Sequence, residues 1–382
     1  MNQVLHRPLI AIVSFALIFF VSIDSSAQTS KPKPSPTPRA EPKAEAQEPV
    51  KVFTEEVRLP VAAKDTYGHY DPTLEADDVL VLEDGVPQQI RSIQHLPVNV
   101  LLLLDTGNQL GLKNTNITRD IALRVVTELS RGNRIAVMQF SNRPELLQNW
   151  TADMDAVTRS LKSKIHSGKT SRLSEAIASA AAQFKDIPAG TRNIVLITDG
   201  VEGPGGRFNL AESLTQLNSI QASVHIISYT ALSRKAIQEF SAWRKGDGIQ
   251  RDGNPAGNPV ANGDPTLPPG TTRTPSFRLG SKNVDPTLSK RREEYERATR
   301  FSEAQLSEIA DESGGQIFIP ESTNDLLSEA ETIARDIGSQ YIVTYRPTRA
   351  LALAKPGEFR KVEVASRRAG LYLRSRRGYV VP

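Results

Sequence analysis

The chain has no cysteine. That absence removes disulfides, thiol nucleophiles and Cys-ligated zinc together, so stability must come from packed apolar cores. At 382 residues there is enough chain for one large domain and a smaller one. Also missing are a Gly-x-Ser-x-Gly nucleophile elbow and a His-Glu-x-x-His zinc helix. The five histidines are scattered. His225 falls inside an apolar strand and reads as a satisfied core histidine, while His166 stands alone without a partner. Long apolar runs are scarce too: residues 9–21 form the first, and no second one follows. That run is too short to span a bilayer. With Arg7 before it and Ser25-Ser26-Ala27 after it, it has the pattern of a secretory signal over residues 1–27. An uncleaved N-terminal anchor is the alternative; no Cys follows to take a lipid. The chain is therefore expected to be exported, periplasmic or secreted, with no transmembrane segment in its mature part.

Net charge is small at +4, but unevenly placed. Residues 346–378 hold ten Lys and Arg against two acids, Glu358 and Glu363. Such an end could attract acidic lipid, polysaccharide or nucleic acid. No aromatic stacking pattern accompanies it, so the expectation is a solvated, charge-guarded sheet edge and no nucleic-acid partner.

Residues 28–49 are rich in Pro, Lys, Ala and Glu and read as a disordered linker. Residues 50–97 read as strands: 79–82 close on Glu83-Asp84-Gly85, a hairpin signal, and 88–95 would return. At Val98 the rhythm changes. Residues 98–104 are nearly continuous apolar and end in Asp105, as a strand buried on both faces would. Ile117, Ile121, Val125 and Leu129 follow at helical spacing. Strands are expected at 135–140, 146–147, 194–197 (ending at Asp199), 224–229 and 316–319, with helices at 153–165, 171–184 and 210–217. The Gly-, Pro-, Asn- and Thr-dense stretch 245–285 reads as a disordered insertion. Residues 290–300 suggest an exposed charged helix, and Ser302-Glu303-Ala304-Gln305 a capping box opening a second one, closed by Gly314-Gly315. A last helix through Leu326, Ala330, Ile333 and Ile337 stops at Gly338. Strand-like runs at 340–346, 359–365 and 371–374 end the chain. Strands alternating with helices over 98–338 imply a doubly wound, mostly parallel α/β sheet. The flanking segments 50–97 and 339–382 imply a small accessory β unit built from both ends.

In an open parallel sheet, ligands sit beyond the carboxyl ends of the strands. Three loops should meet there, bringing Asp105, Thr170 and Asp199 together, and hard oxygen ligands of this kind suit Mg²⁺, Ca²⁺ or Mn²⁺. This arrangement resembles the von Willebrand factor A superfamily, whose metal-ion-dependent adhesion site reads Asp-x-Ser-x-Ser, then Thr, then Asp. The corresponding elements here are Asp105-Thr106-Gly107-Asn108-Gln109, Gly168-Lys169-Thr170-Ser171 and Thr198-Asp199-Gly200. Gly107 and Gln109 stand where the two serines would, so the site looks degenerate. Gln109 offers an amide oxygen at a longer reach, and a divalent cation such as Mg²⁺ would be held weakly by Asp105, Gln109, Thr170 and Asp199. Residues 82–88 (Leu-Glu-Asp-Gly-Val-Pro-Gln), Gln340-Tyr341, Tyr345-Arg346-Pro347, Phe359-Arg360-Lys361 and Arg376-Arg377-Gly378-Tyr379 extend the likeness. Together they resemble the acidobacterial von Willebrand factor A-related domain family. The resemblance implies an extracytoplasmic, non-catalytic module that docks a protein partner through loops at the carboxyl edge of the sheet.

Enzyme readings are weaker. Ser167-Gly168-Lys169-Thr170 resembles the end of a phosphate loop, but its first Gly would fall at Ser163 and a helix, not a strand, precedes it. Gly203-Pro204-Gly205-Gly206 loses an amide donor at Pro204 and reads as a flexible loop. The remaining alternative is an exported hydrolase-like α/β enzyme with Asp105 and Asp199 as acid and base.

Overall fold

The computed structural model describes residues 56–108, 115–129, 132–205, 209–245 and 286–381. The expected signal (1–27), the linker (28–49), Gln109 and nearly all of the 245–285 insertion lie outside them. Strand β1 (Val57–Asp65) is followed by β2 (Val79–Glu83), β3 (Val86–Gln88) and β4 (Ile90–Gln94). Asp84 and Gly85, at φ 49° and 80°, make the two-residue turn that sets Val86 opposite Glu83. The single returning strand expected over 88–95 is in fact two. Pro87 supplies no N–H to the ladder, which stays short. After it β4 crosses to another sheet, where Ile90 and Ile93 reach the apolar core.

The α/β half begins with β5 (Asn99–Asp105), whose seven residues are all buried. Val100, Leu102 and Leu104 enter one core while Leu101 and Leu103 enter another. That is strand alternation with both faces covered. Then come α1 (Thr115–Glu128), β6 (Arg134–Phe140), β7 (Pro144–Thr151), α2 (Met154–Lys164), α3 (Leu173–Gln183), β8 (Arg192–Thr198), α4 (Leu210–Ile220) and β9 (Ser223–Ser228). Two helices follow, α5 (Thr230–Lys245) and α6 (Pro286–Ser313), then β10 (Ile317–Phe318) and α7 (Thr323–Gly338). The sheet order is β10-β9-β8-β5-β6-β7. All pairs are parallel except the edge strand β7, longer than the 146–147 expected. Helices α1 and α7 seal one face of β5, and α3 and α6 the other. Helix α5 had no counterpart in the sequence reading.

The capping-box expectation at Ser302 fails, because α6 runs unbroken through it. Tyr295, Thr299, Ser302, Leu306, Ile309 and Ala310 recur every three or four residues and form one buried stripe. Packing of that stripe against the sheet keeps the helix continuous, so Ser302 spends its hydroxyl elsewhere. Gly314 (φ 78°) ends the helix as expected, and Gly315 lies so close to the Val224 carbonyl that no side chain fits.

Strands β11 (Tyr341–Tyr345), β12 (Phe359–Ser366), β13 (Leu371–Ser375) and β14 (Gly378–Val380) complete two four-stranded antiparallel sheets, β13-β1-β11-β4 and β14-β12-β2-β3. One core joins them, from Leu59, Val61, Val79 and Val81 to Val343, Val362 and Tyr379. The accessory β unit is therefore assembled from both ends of the chain. The basic end departs from the solvated edge expected of it. Arg360, 0% exposed, pairs with buried Glu83 at 2.8 Å, and Glu83 also accepts from Tyr345 (2.7 Å) and Tyr379 (2.9 Å). Arg368 pairs with Asp71 and Asp78, and Arg349 with Asp84. Three of its charges thus match acids of the N-terminal segment.

Where the two halves meet, buried Asp336 of α7 gathers Arg374, Lys64 at 3.5 Å, the Tyr70 hydroxyl at 2.9 Å and His225 Nδ1 at 3.6 Å. Burial works against the Asp336 carboxylate, but the surrounding positive groups outweigh it and hold its pKa below the usual value. His225 differs from the satisfied histidine expected: its Nδ1 has no hydrogen-bond partner, and burial lowers its pKa to about 4.

Candidate functional site

Three loops meet at the carboxyl edge of the sheet: the one after β5, the α2–α3 connection and the one after β8. The first two are zipped by backbone: Gly168 N donates to Thr106 O (3.0 Å) and Asn108 N to Gly168 O (2.9 Å), with Gly107 bridged to Gly168. The backbones come so close that a Cβ on Gly107 would collide with the Thr170 carbonyl. The third loop joins through Gly203 N to Ser171 O at 2.7 Å. Helix α2 precedes the Gly168-Lys169-Thr170 loop, and this is no strand-to-helix phosphate turn.

Beneath the loops lie Asp105 (1% exposed) and Asp199 (0%). Asp105 Oδ1 accepts from Gly107 N at 3.0 Å, and its Oδ2 accepts from Thr198 Oγ1 (2.8 Å) and Ser171 Oγ (3.1 Å). Asp199 Oδ1 accepts from Val201 N at 3.1 Å, and its Oδ2 accepts the phenol of Tyr295. A second phenol, that of buried Tyr229, lies close enough to both aspartates to feel their charge. Burial first, and then the charges of both aspartates, push the two phenols well above their ordinary pKa. Both stay protonated, and Tyr295 donates to Asp199.

Of the residues singled out in the sequence, Asp105 and Asp199 do share one buried cluster. Thr170 does not turn into it: its hydroxyl donates to Asn142 Oδ1 at 3.0 Å, an oxygen that also takes the N–H groups of Lys169 and Thr170. Gln109 lies outside the described residues. His166, expected to stand alone, has Gln139 Nε2 at 2.8 Å and Glu145 Oε2 at 3.4 Å.

The sequence reading missed Tyr295, set in what looked like an exposed charged run. The usable signal was its spacing: Tyr295, Thr299, Ser302 and Leu306 continue one helical stripe upstream of the assumed cap. Ser302 donates to the Asp199 carbonyl at 2.7 Å. Gly200, at φ 69°, lets α6 lie directly on the loop, since a Cβ there would strike Ser302 and Leu306. Glu303 takes the Thr230 hydroxyl and Arg234, tying α6 to α5.

A divalent hard cation needs about six oxygens turned toward one point. Here the aspartate oxygens accept from hydroxyl and N–H donors, Thr170 faces Asn142, and position 107 has no room for a hydroxyl. Among the described residues, neither Thr170 nor position 107 turns a hydroxyl toward the two aspartates, and no group of three or more His, Asp or Glu side chains could hold a metal.

Residues 100–202, spanning the first two loops and the start of the third, match the family model of the von Willebrand factor type A domain. Solved structures with a similar fold include an aerotolerance-related membrane protein from Bacteroides fragilis. It is 18% identical, with 63% of this chain and 98% of that one covered and a TM-score of 0.37. BatB from Bacteroides thetaiotaomicron gives 18%, 63%, 97% and 0.37 on the same measures. A von Willebrand factor type A protein from Catenulispora acidiphila gives 11%, 85%, 73% and 0.40. No curated protein matches the sequence. The α/β half is a von Willebrand factor A-type fold, and no helix among the described residues is long and apolar enough to cross a membrane.

Proposed function

We propose that this chain is an exported, non-catalytic binding module of the acidobacterial von Willebrand factor A-related kind, periplasmic or secreted. It docks a protein partner through the loops at the carboxyl edge of its parallel sheet. Domains of this type serve as protein-interaction modules, and the family match falls on the segment that supplies those loops. One observation carries the reading. The loops form a pre-organised surface, with Asn142, Arg143, Ser167, Lys169 and Pro204 exposed above a hydrogen-bonded base of Asp105, Ser171, Thr198 and Asp199. A rigid, already satisfied base lowers the ordering cost of binding. The adhesion site is degenerate on this reading: Asp105 and Asp199 keep its two acids, Thr170 turns to Asn142, and docking needs no tightly held cation.

The test is capture from envelope extract by the full chain, wild type beside Lys169→Glu and Asn142→Ala, in chelator. A protein retained by wild type, lost with the loop variants and cross-linked to residues 141–143 or 167–170 supports the proposal. Capture indifferent to these changes sinks it. So would turnover of any substrate that disappears in Asp199→Ala, because the reading assigns the aspartates no chemistry.

A further inference from the structure

We propose that Tyr295 stands in for a cation: its phenol, carried by α6, satisfies Asp199 from within the chain and makes the carboxyl-edge site independent of metal. The idea rests on the proposed function only in treating these loops as the binding face.

The tyrosine is fixed, not loosely placed. Its side chain is 7% exposed and packs with Val201 and Ala298 in a small apolar cluster of its own. One and two turns further on, Thr299 and Ser302 are buried, and Ser302 holds the backbone of Asp199 itself. The same helix therefore grips Asp199 at carboxylate and carbonyl, while Glu303 anchors it to Thr230 and Arg234.

The opposite wall of the site points the same way. A cation that displaced the phenol would need replacement oxygens from the first two loops. The Gly107–Gly168 bridge leaves no space for a side chain at 107, and Thr170 is committed to Asn142. A protonated phenol demands only one acceptor, whereas a divalent ion demands a shell. The described walls of the pocket are shaped for the former.

The test uses the full chain, stripped with chelator, and follows the thermal midpoint with and without Mn²⁺ or Mg²⁺. Wild type should show the same midpoint in chelator and in either metal, and a Mn²⁺ titration followed by electron paramagnetic resonance should find no ion taken up at this site. Tyr295→Phe, which deletes only the hydroxyl, should lower the metal-free midpoint by roughly 3–8 °C. A wild-type midpoint that rises with Mn²⁺ and no longer does so in Asp199→Asn overturns the proposal. A Tyr295→Phe midpoint equal to wild type overturns it equally. Should that variant not fold, the wild-type metal titration decides alone. Loss of partner capture would leave these readouts untouched, so the two proposals fail separately.

Discussion

Two regions of this molecule bury carboxylates, and they satisfy them by different means. In the β unit and at its junction with the α/β half, the partners carry charge: Arg360 for Glu83, and Arg374 with Lys64 for Asp336. At the carboxyl edge, Asp105 and Asp199 are held by serine, threonine and tyrosine hydroxyls and by backbone N–H groups. The difference has consequences. A buried ion pair becomes a liability when one member is removed, because the other is left as an uncompensated charge. A hydroxyl-held carboxylate loses one donor at a time and degrades gradually. The first arrangement fastens chain ends together; the second keeps a loop cluster rigid.

The largest expected effect breaks the charged arrangement. Glu83→Ala takes from buried Arg360 its nearer carboxylate, leaving it Glu358 at 3.3 Å, and removes the acceptor of two tyrosines, so denaturant unfolding should show a loss of about 3–5 kcal/mol. Equal losses for Glu83→Ala and for any single hydroxyl deletion at the edge would erase the distinction.

The junction should also be sensitive to pH. His225 is held neutral, with a pKa lowered to about 4 against an ordinary 6.5. Between those values the unfolded chain binds the extra proton, so stability is full above about 6.5 and falls as pH drops toward 4. The loss is on the order of 3 kcal/mol. Asp336, whose pKa is lowered, acts in a different window: its contribution is present above the ordinary carboxylate value of 3.8 and is lost only as pH falls through its own depressed value. Stability measured from pH 7 to 4 in His225→Gln should be flatter than in wild type; an unchanged slope would assign the effect elsewhere.

At the carboxyl edge the effects shrink. Tyr295→Phe removes one hydrogen bond to a carboxylate and should cost about 1.5–3 kcal/mol in the same assay. Smallest of all, Lys169→Glu lies on the exposed loop surface and should stay within about 0.5 kcal/mol of wild type while changing partner capture. A large stability loss there would mean the loop is structural, not a docking face.

Much of the fold was legible in advance. The alternation of apolar strands ending in Asp105 and Asp199 with helical stripes specified the parallel sheet, because burial on both faces leaves few alternatives. Gly314 marked a helix end because glycine tolerates the positive φ found there, while Gly338 is simply the last residue of its helix before Ser339 caps it. The break at Pro87, the continuity of α6 through Ser302 and the burial of Arg360 were not legible. Each depends on what a distant segment offers.

The sequence by itself determined the α/β class, the absence of any thiol chemistry and the positions of the two loop aspartates, since local periodicity and composition encode them. Only the tertiary structure decided what those aspartates meet. A hydroxyl at Tyr295, 96 residues beyond Asp199 along the chain, carries no mark of its partner. Hydrogen-bond partners of a buried carboxylate are chosen by which surfaces pack together, and that choice is made by the folded chain as a whole.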